Sequence, residues 1–277
     1  MARIGALGLA TLGFTINFWA WALIAPLAPT YRDLLDLSPL AVAAVVAVPV
    51  LVGSLGRIPV GALTDRYGGR RMFAAVSVTT VVPVLFLGFA GTSFAALIAG
   101  GFALGVAGTA FAVGVPFVNA WFPSARRGRA LGVFGMGTAG TAVSAFVTPR
   151  IATAAGREAA YLTVAAALAG FATLALVALR DPQATPSPAQ SLRERLNAAS
   201  QMPVTWQLAS LYAVTFGGFV AFSVYLPSYL ENVYGLPITD AATRTAGFVV
   251  LAVLARQPAG RCPTASARYG YSRCVSG

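Results

Sequence analysis

The chain reads as an all-α, polytopic membrane protein, and three features of its 277 residues carry that expectation. Hydrophobic residues make up 57% and charged residues only 10%, far from the balance of a water-soluble domain. The stretches 4–31, 37–56, 72–125, 130–149, 159–179 and 196–230 hold no charge at all, and a helix needs about 20 apolar residues to cross a bilayer. The net charge of +11 comes from arginine alone, and those arginines fall mainly in short segments between apolar runs. That distribution describes topology rather than a nucleic-acid-binding patch.

Eight helices follow from the apolar pattern, at about 4–28, 39–64, 72–90, 94–121, 129–149, 159–179, 205–230 and 241–257. The first is a membrane helix rather than a cleaved leader, because its apolar run is longer than a signal peptide's core. The stretch 72–125 folds back once, at Gly88-Phe-Ala-Gly-Thr-Ser93. With the N-terminus in the cytoplasm, ten arginines (Arg3, Arg66, Arg70, Arg71, Arg126, Arg127, Arg129, Arg180, Arg193, Arg195) lie inside. Four (Arg32, Arg150, Arg157, Arg244) lie outside, which satisfies the positive-inside bias of an inner (plasma) membrane protein. The segment 181–204, opening Asp181-Pro-Gln-Ala-Thr-Pro-Ser-Pro, reads as a cytoplasmic linker. It divides residues 1–180, six helices, from residues 205–257, two more; residues 258–277 form an aberrant tail.

Two arginines fall within apolar helical sequence in one local frame, Arg57-Ile-Pro59-Val-Gly61 and Arg256-Gln-Pro258-Ala-Gly260. A cation at membrane depth costs at least about 2.5 kcal/mol, so its presence points to a function. Arg57 precedes Asp65 by eight residues, or about 12 Å of helix. Snorkelling to the interface falls short of that distance. The repeated frame suggests two halves that each present one guanidinium to a shared anion. Tyr212 and Phe216, spaced i, i+4, share one helix face beside Gly217 and Gly218. Gly132, Gly135, Gly137 and Gly140 have the density that lets membrane helices touch backbone to backbone, and Thr138 and Thr141 add hydroxyl donors.

Between the second and third helices runs Gly61-Ala-Leu-Thr-Asp65-Arg66-Tyr-Gly68-Gly69-Arg70-Arg71. It resembles the signature loop of the major facilitator superfamily, with Asp65 able to accept from the start of the next helix or from a nearby arginine. Six helices before a linker are half of such a twelve-helix carrier. The fold expected is therefore a complete N-terminal six-helix bundle plus the first two helices of the C-terminal bundle.

Within that superfamily the chain is similar to the nitrate/nitrite porters over roughly residues 8–260. The resemblance rests on Asn17-Phe18-Trp-Ala-Trp21, Gly56-Arg57-Ile-Pro59, Gly108-Thr-Ala-Phe111 and Asn119-Ala-Trp-Phe-Pro123. It rests also on Gly135-Met-Gly137-Thr138-Ala-Gly140, Tyr212-Ala-Val-Thr-Phe216-Gly217 and Leu254-Ala-Arg256. It implies that Arg57 and Arg256 clamp the oxyanion, that Phe18, Phe111 and Phe216 wall the site, and that Tyr212 donates a hydroxyl. Thr138 stands where the family pattern has asparagine, so that position departs from it. Other carriers for small organic anions, or a non-transporting truncated fragment, stay open as alternatives.

The chemistry excludes other classes. The sequence holds no histidine, no nucleophile–base pair and no metal-ligand spacing, so neither an enzyme nor a cofactor is expected. The two cysteines, Cys262 and Cys274, fall in the last 16 residues. All eight acids (Asp33, Asp36, Asp65, Glu158, Asp181, Glu194, Glu231, Asp240) fall in loops or at helix ends. No carboxylate then carries a proton mid-membrane, and two bare arginines resist closing without an anion. Nitrate/nitrite exchange by a monomer in the lipid bilayer is the expectation.

The tail suggests a frameshift between Ala255 and Gly260. Back-translating Gly260-Arg-Cys-Pro-Thr-Ala265 permits GGG CGC TGT CCG ACC GC; read two bases on, this gives Ala-Leu-Ser-Asp-Arg. That nearly repeats Ala62-Leu-Thr-Asp65-Arg66 after Gly61.

Overall fold

A computed structural model describes residues 3–182 and 192–255, and every regular element among them is helical. Arg256 and the suspected shift of frame lie outside the described residues.

Helix α1 (Arg3–Trp21) runs through a 3-10 turn (Ala25–Leu27) into α2 (Ala28–Leu35). α3 (Pro39–Tyr67) and α4 (Gly69–Ala90) meet at the signature loop. α5 (Phe94–Leu104) and α6 (Ala110–Trp121) form one span interrupted by a 3-10 turn at Gly105–Thr109. α7 (Ser124–Gly135) and α8 (Gly140–Ala155) form another, interrupted at Met136–Ala139. α9 (Arg157–Ala178) completes the sixth span. Beyond it come the short α10 (Leu192–Ser200), then α11 (Pro203–Tyr234) and α12 (Ile238–Leu254). Seven of the resulting spans are long and apolar enough to cross a membrane. The eighth expected span corresponds to α12, which is 17 residues long as described.

Local signals account for the boundaries. Ser38 and Ser93 cap α3 and α5, each accepting from a backbone N–H three residues on, Ala41 and Ala96. The fold-back expected at Gly88–Ser93 falls there, since α4 ends at Ala90. Gly68 links α3 to α4 at φ +84°, a conformation glycine adopts without strain.

α1 occupies the middle of the first bundle and touches α4, α6, α7, α8 and α9, while α4 packs along α9. Small residues set these distances. A Cβ on Gly140 would stand 2.1 Å from the Thr15 carbonyl oxygen, so α8 and α1 meet backbone to backbone. Gly137 makes the same room for Phe14. α12 packs against α8 and the 3-10 turn before it, and α11 reaches the turn at Ala25–Leu27.

The signature loop is tied to the end of α9. The backbone N–H of Arg70 donates to Asp181 at 3.0 Å, and the Arg70 guanidinium donates to the Leu176 carbonyl. The N–H of Arg70 at the start of α4 is thus met by Asp181, just past α9, because the end of α9 lies beside the start of α4. Gly69 lets Phe117 of α6 approach, and Gly61 lies at the limit of contact with Ala112. Arg66 leans over the ring of Tyr67 at 5.3 Å.

Candidate oxyanion site

Arg57 is held from two sides of the cleft between the six-helix bundle and α11. Its Nε donates to the Gly108 carbonyl and its Nη1 to the Tyr212 hydroxyl, each at 3.4 Å. The guanidinium carbon lies 5.4 Å from the centre of the Phe111 ring and 5.0 Å from that of Phe216. The side chain therefore turns into the protein, not along the helix to the interface.

Each partner is placed by a local feature of its own helix. Arg57 stands one turn after Gly53 on α3, and Gly56 beside it leaves room for the Thr109 methyl. The Gly108 carbonyl belongs to the 3-10 turn between α5 and α6, where two glycines in five residues weaken the α-helical ladder. Phe111 follows directly on α6. Tyr212 and Phe216 occupy successive turns of α11 with rings 4.9 Å apart and 9° from parallel. Phe111 lies 6.4 Å from Tyr212 at 27°. The three near-parallel rings form an aromatic box, with the guanidinium beside Phe111 and Phe216.

The strength of these contacts decides what the site can do. Hydrogen bonds at 3.4 Å are long and weak. Each ring contributes about 0.5–1 kcal/mol to a partly exposed cation. Neither term offsets a charge at membrane depth, which costs about 2.5–3.5 kcal/mol on the most lenient scale and far more on others. Arg57 Nη2, moreover, is buried and has no hydrogen-bond partner among the described residues. A charged donor is left available beside flat aromatic walls, a setting that favours a small planar anion.

The other expected residues lie elsewhere. Phe18 is fully buried, its ring 4.3 Å from Phe14 and 4.9 Å from Trp21. Phe14 in turn lies 5.7 Å from Phe111, so Phe18 backs the box one ring removed. Thr138 is buried and donates to the Gly135 carbonyl at 2.9 Å, within its own turn. A Cβ on Gly217 or Gly218 would meet nothing within 4 Å, so neither glycine makes room for a neighbour there. Gly132 lies half-buried on α7. Among the described residues no group of three His, Cys, Asp or Glu side chains could hold a metal ion.

Two residues at this site were given no role of their own from the sequence. Gly108 supplies a main-chain acceptor, and Gly53 admits it: a Cβ on Gly53 would stand 2.9 Å from the Gly105 carbonyl oxygen and 3.3 Å from Gly108 Cα. The signal was present as two glycine pairs, Gly53/Gly56 and Gly105/Gly108, each spaced i, i+3 on segments that cross.

The Major Facilitator Superfamily pattern matches residues 10–266, and the chain belongs to that superfamily. It is similar to the probable nitrate/nitrite transporter NarK2 of Mycobacterium tuberculosis, with 52% identity over 254 residues, 91% of this chain and 64% of the relative. The nitrite extrusion protein of Bacillus subtilis is 38% identical, over 92% of this chain and 63% of its own length. The probable nitrate/nitrite antiporter NarK1 of Thermus thermophilus is 34% identical, over 99% and 63%. The chain thus spans less than two thirds of the length of these relatives. Among solved structures, a bacterial homologue of the human lysosomal transporter Spinster, in an inward-facing and occupied conformation, superposes with a TM-score of 0.69 at 18% identity. That match covers 90% of this chain and 58% of the other, and it establishes the fold alone.

Proposed function

We propose that this chain carries the anion-binding residues of a nitrate/nitrite carrier that works by alternating access and exchanges one anion for the other. The observation that supports it best is the buried Nη2 of Arg57, unpartnered among the described residues and beside the rings of Phe111 and Phe216. Relatives named as nitrate/nitrite transporters support the same substrate.

Nitrate is planar and monoanionic, and it sheds its hydration on entering a dry site. The guanidinium fork replaces water donors with charge-assisted ones, and the ring faces exclude solvent and bulkier anions. Tyr212 supplies a neutral donor, and Arg256 the second cation from the opposite half. Phe18 and Thr138 act from behind, by holding the wall in place. All eight acids lie at helix ends or beyond them, so the reading assigns no proton carrier to the middle of a span. Closing over the bare cations is opposed by their desolvation, and the bound anion relieves it. The loading of arginines on the signature-loop side supports a cytoplasmic N-terminus in a plasma-membrane protein.

Proteoliposomes test this. Nitrate uptake should be stimulated by nitrite inside the vesicles, proceed without a pH gradient, and disappear in Arg57→Ala. Uptake into nitrite-free vesicles that is driven by a pH gradient would reject exchange. Preference for bulky carboxylates would reject the substrate.

A further inference from the structure

We propose that Trp21 is a positioning residue for the oxyanion site: its indole sets how far the Gly108 carbonyl stands from α3, and so where Arg57 is held. The inference rests on the anion-binding reading of Arg57.

Trp21 is buried at the end of α1, and its Nε1 donates to the Pro49 carbonyl of α3 at 2.9 Å. One turn further along α3, a Cβ on Gly53 would stand 2.8 Å from that same nitrogen. A Cβ on Gly108 would stand 2.7 Å from it and 3.0 Å from the neighbouring ring carbon Cδ1. The indole edge therefore occupies a notch that only two glycines permit. One glycine is on α3 and the other in the 3-10 turn.

The next turn of α3 carries Arg57, whose Nε donates to the carbonyl of that same Gly108. Three successive turns of α3 are thus referred to one side chain. Pro49 is bonded by the indole, Gly53 is touched by it, and Arg57 is bonded to the residue the indole touches. Trp21 acts as a spacer between helix and turn. It does not itself reach the proposed anion position, since Gly108 and Arg57 lie between.

A spacer of this kind changes affinity through Arg57 rather than through the amount of folded protein. The test is equilibrium binding of labelled nitrate to the purified full chain in nanodiscs, with capacity and Kd fitted separately and thermal stability measured in parallel. Trp21→Phe removes the N–H and part of the spacer; Gly108→Ala keeps the N–H but drives the ring from its notch. Both should raise the Kd about tenfold, the loss expected when a hydrogen bond to a charged group is misplaced. Gly88→Ala is the control: its Cβ would stand 2.8 Å from Tyr161 Cβ, a collision away from Arg57. It should lower thermal stability and leave the Kd unchanged.

Wild-type Kd in both Trp21→Phe and Gly108→Ala, or an equal rise in Gly88→Ala, overturns the proposal and leaves the anion site standing. If neither of the first two variants accumulates as folded protein, Trp21 is structural only and the proposal also fails. Absence of nitrate binding by the wild type, or its persistence in Arg57→Ala, sinks the anion-site reading and this inference with it.

Discussion

Tyr212 reaches Arg57 across the cleft, hydroxyl to Nη1 at 3.4 Å, from a position 155 residues along the chain. The contact joins α11 to α3 and pairs the phenol with the cation that the six-helix bundle presents. Tyr212 retains 42% exposure, so it stands at the open edge of the box and not in its floor. Tyr212→Phe keeps the stack on Phe216 and removes only the hydroxyl, which accepts from Arg57. It should raise the half-saturating nitrate concentration about three- to tenfold, the range for losing one ordinary hydrogen bond, with little change in maximal flux. Tyr212→Ala also removes the ring and should lower both. A Phe variant with wild-type concentration dependence would remove the hydroxyl from the site.

Much of this was legible from residues in isolation, and the remainder depended on contacts. Span number follows from apolar length, and the α4–α5 reversal from the turn residues before the Ser93 cap. Helix ends were less legible where charge and helicity part company. Arg126, Arg127 and Arg129 stop an apolar run but not a hydrogen-bond ladder, so the fifth span starts at Ser124 and not at 129. Arg32 and Asp33 likewise lie in α2, which prolongs the first span past residue 28. Asp181 reads as the start of a linker, yet it accepts from Arg70 across 111 positions of sequence; no local pattern encodes that partner. The 3-10 turns were also hidden, because glycine density signals close packing and a broken ladder equally well.

Close packing at Gly140 yields a second prediction. Its Cβ would meet the Thr15 carbonyl oxygen at 2.1 Å and the Trp19 nitrogen at 2.7 Å, both main-chain atoms that cannot rotate away. Gly140→Ala must separate α1 from α8 and should destabilise by about 1–3 kcal/mol. Gly170 on α9 has nothing within 4 Å of its Cβ position, and Ala there gains helix propensity. Thermal unfolding in a fixed detergent should show a clear fall for Gly140→Ala and none for Gly170→Ala. Equal behaviour would mean that the α1–α8 contact is not as tight as described.

The α3–α4 junction supplies a third. A Cβ on Gly68 would stand 2.4 Å from Asp181 Oδ2, and Gly68 also has φ +84°. Gly68→Ala is therefore opposed by backbone strain and by collision with a carboxylate that already has a role. Asp181→Ala removes the acceptor of the Arg70 N–H and should destabilise by about 1 kcal/mol, as loss of a helix cap does. In the double variant the collision is gone, so the combined loss should be smaller than the sum of the two single ones. Additive losses in unfolding measurements would show that Gly68 and Asp181 act independently.

At the end of the bundle away from the signature loop, two hydrogen bonds close the seam between the six-helix bundle and α11–α12. Arg150 Nη2 donates to Thr243 Oγ1 at 3.1 Å, and Arg32 Nη1 to Asn232 Oδ1 at 3.4 Å. Both are exposed, so each contributes at most about 0.5–1.5 kcal/mol. That is enough to shift a balanced two-state equilibrium several-fold. Thr243→Val preserves the shape of the side chain and deletes the shorter bond; Asn232→Leu deletes the longer. Spin labels at Leu34 and Val233, both exposed near this end, report its width once Cys262 and Cys274 are replaced by serine. The double variant should add a longer component to the distance distribution, the shorter bond contributing more of the change. Saturating nitrate should redistribute the two components if the anion permits switching. A distribution identical to wild type would mean that apolar packing of α12 on α8 alone holds this end together.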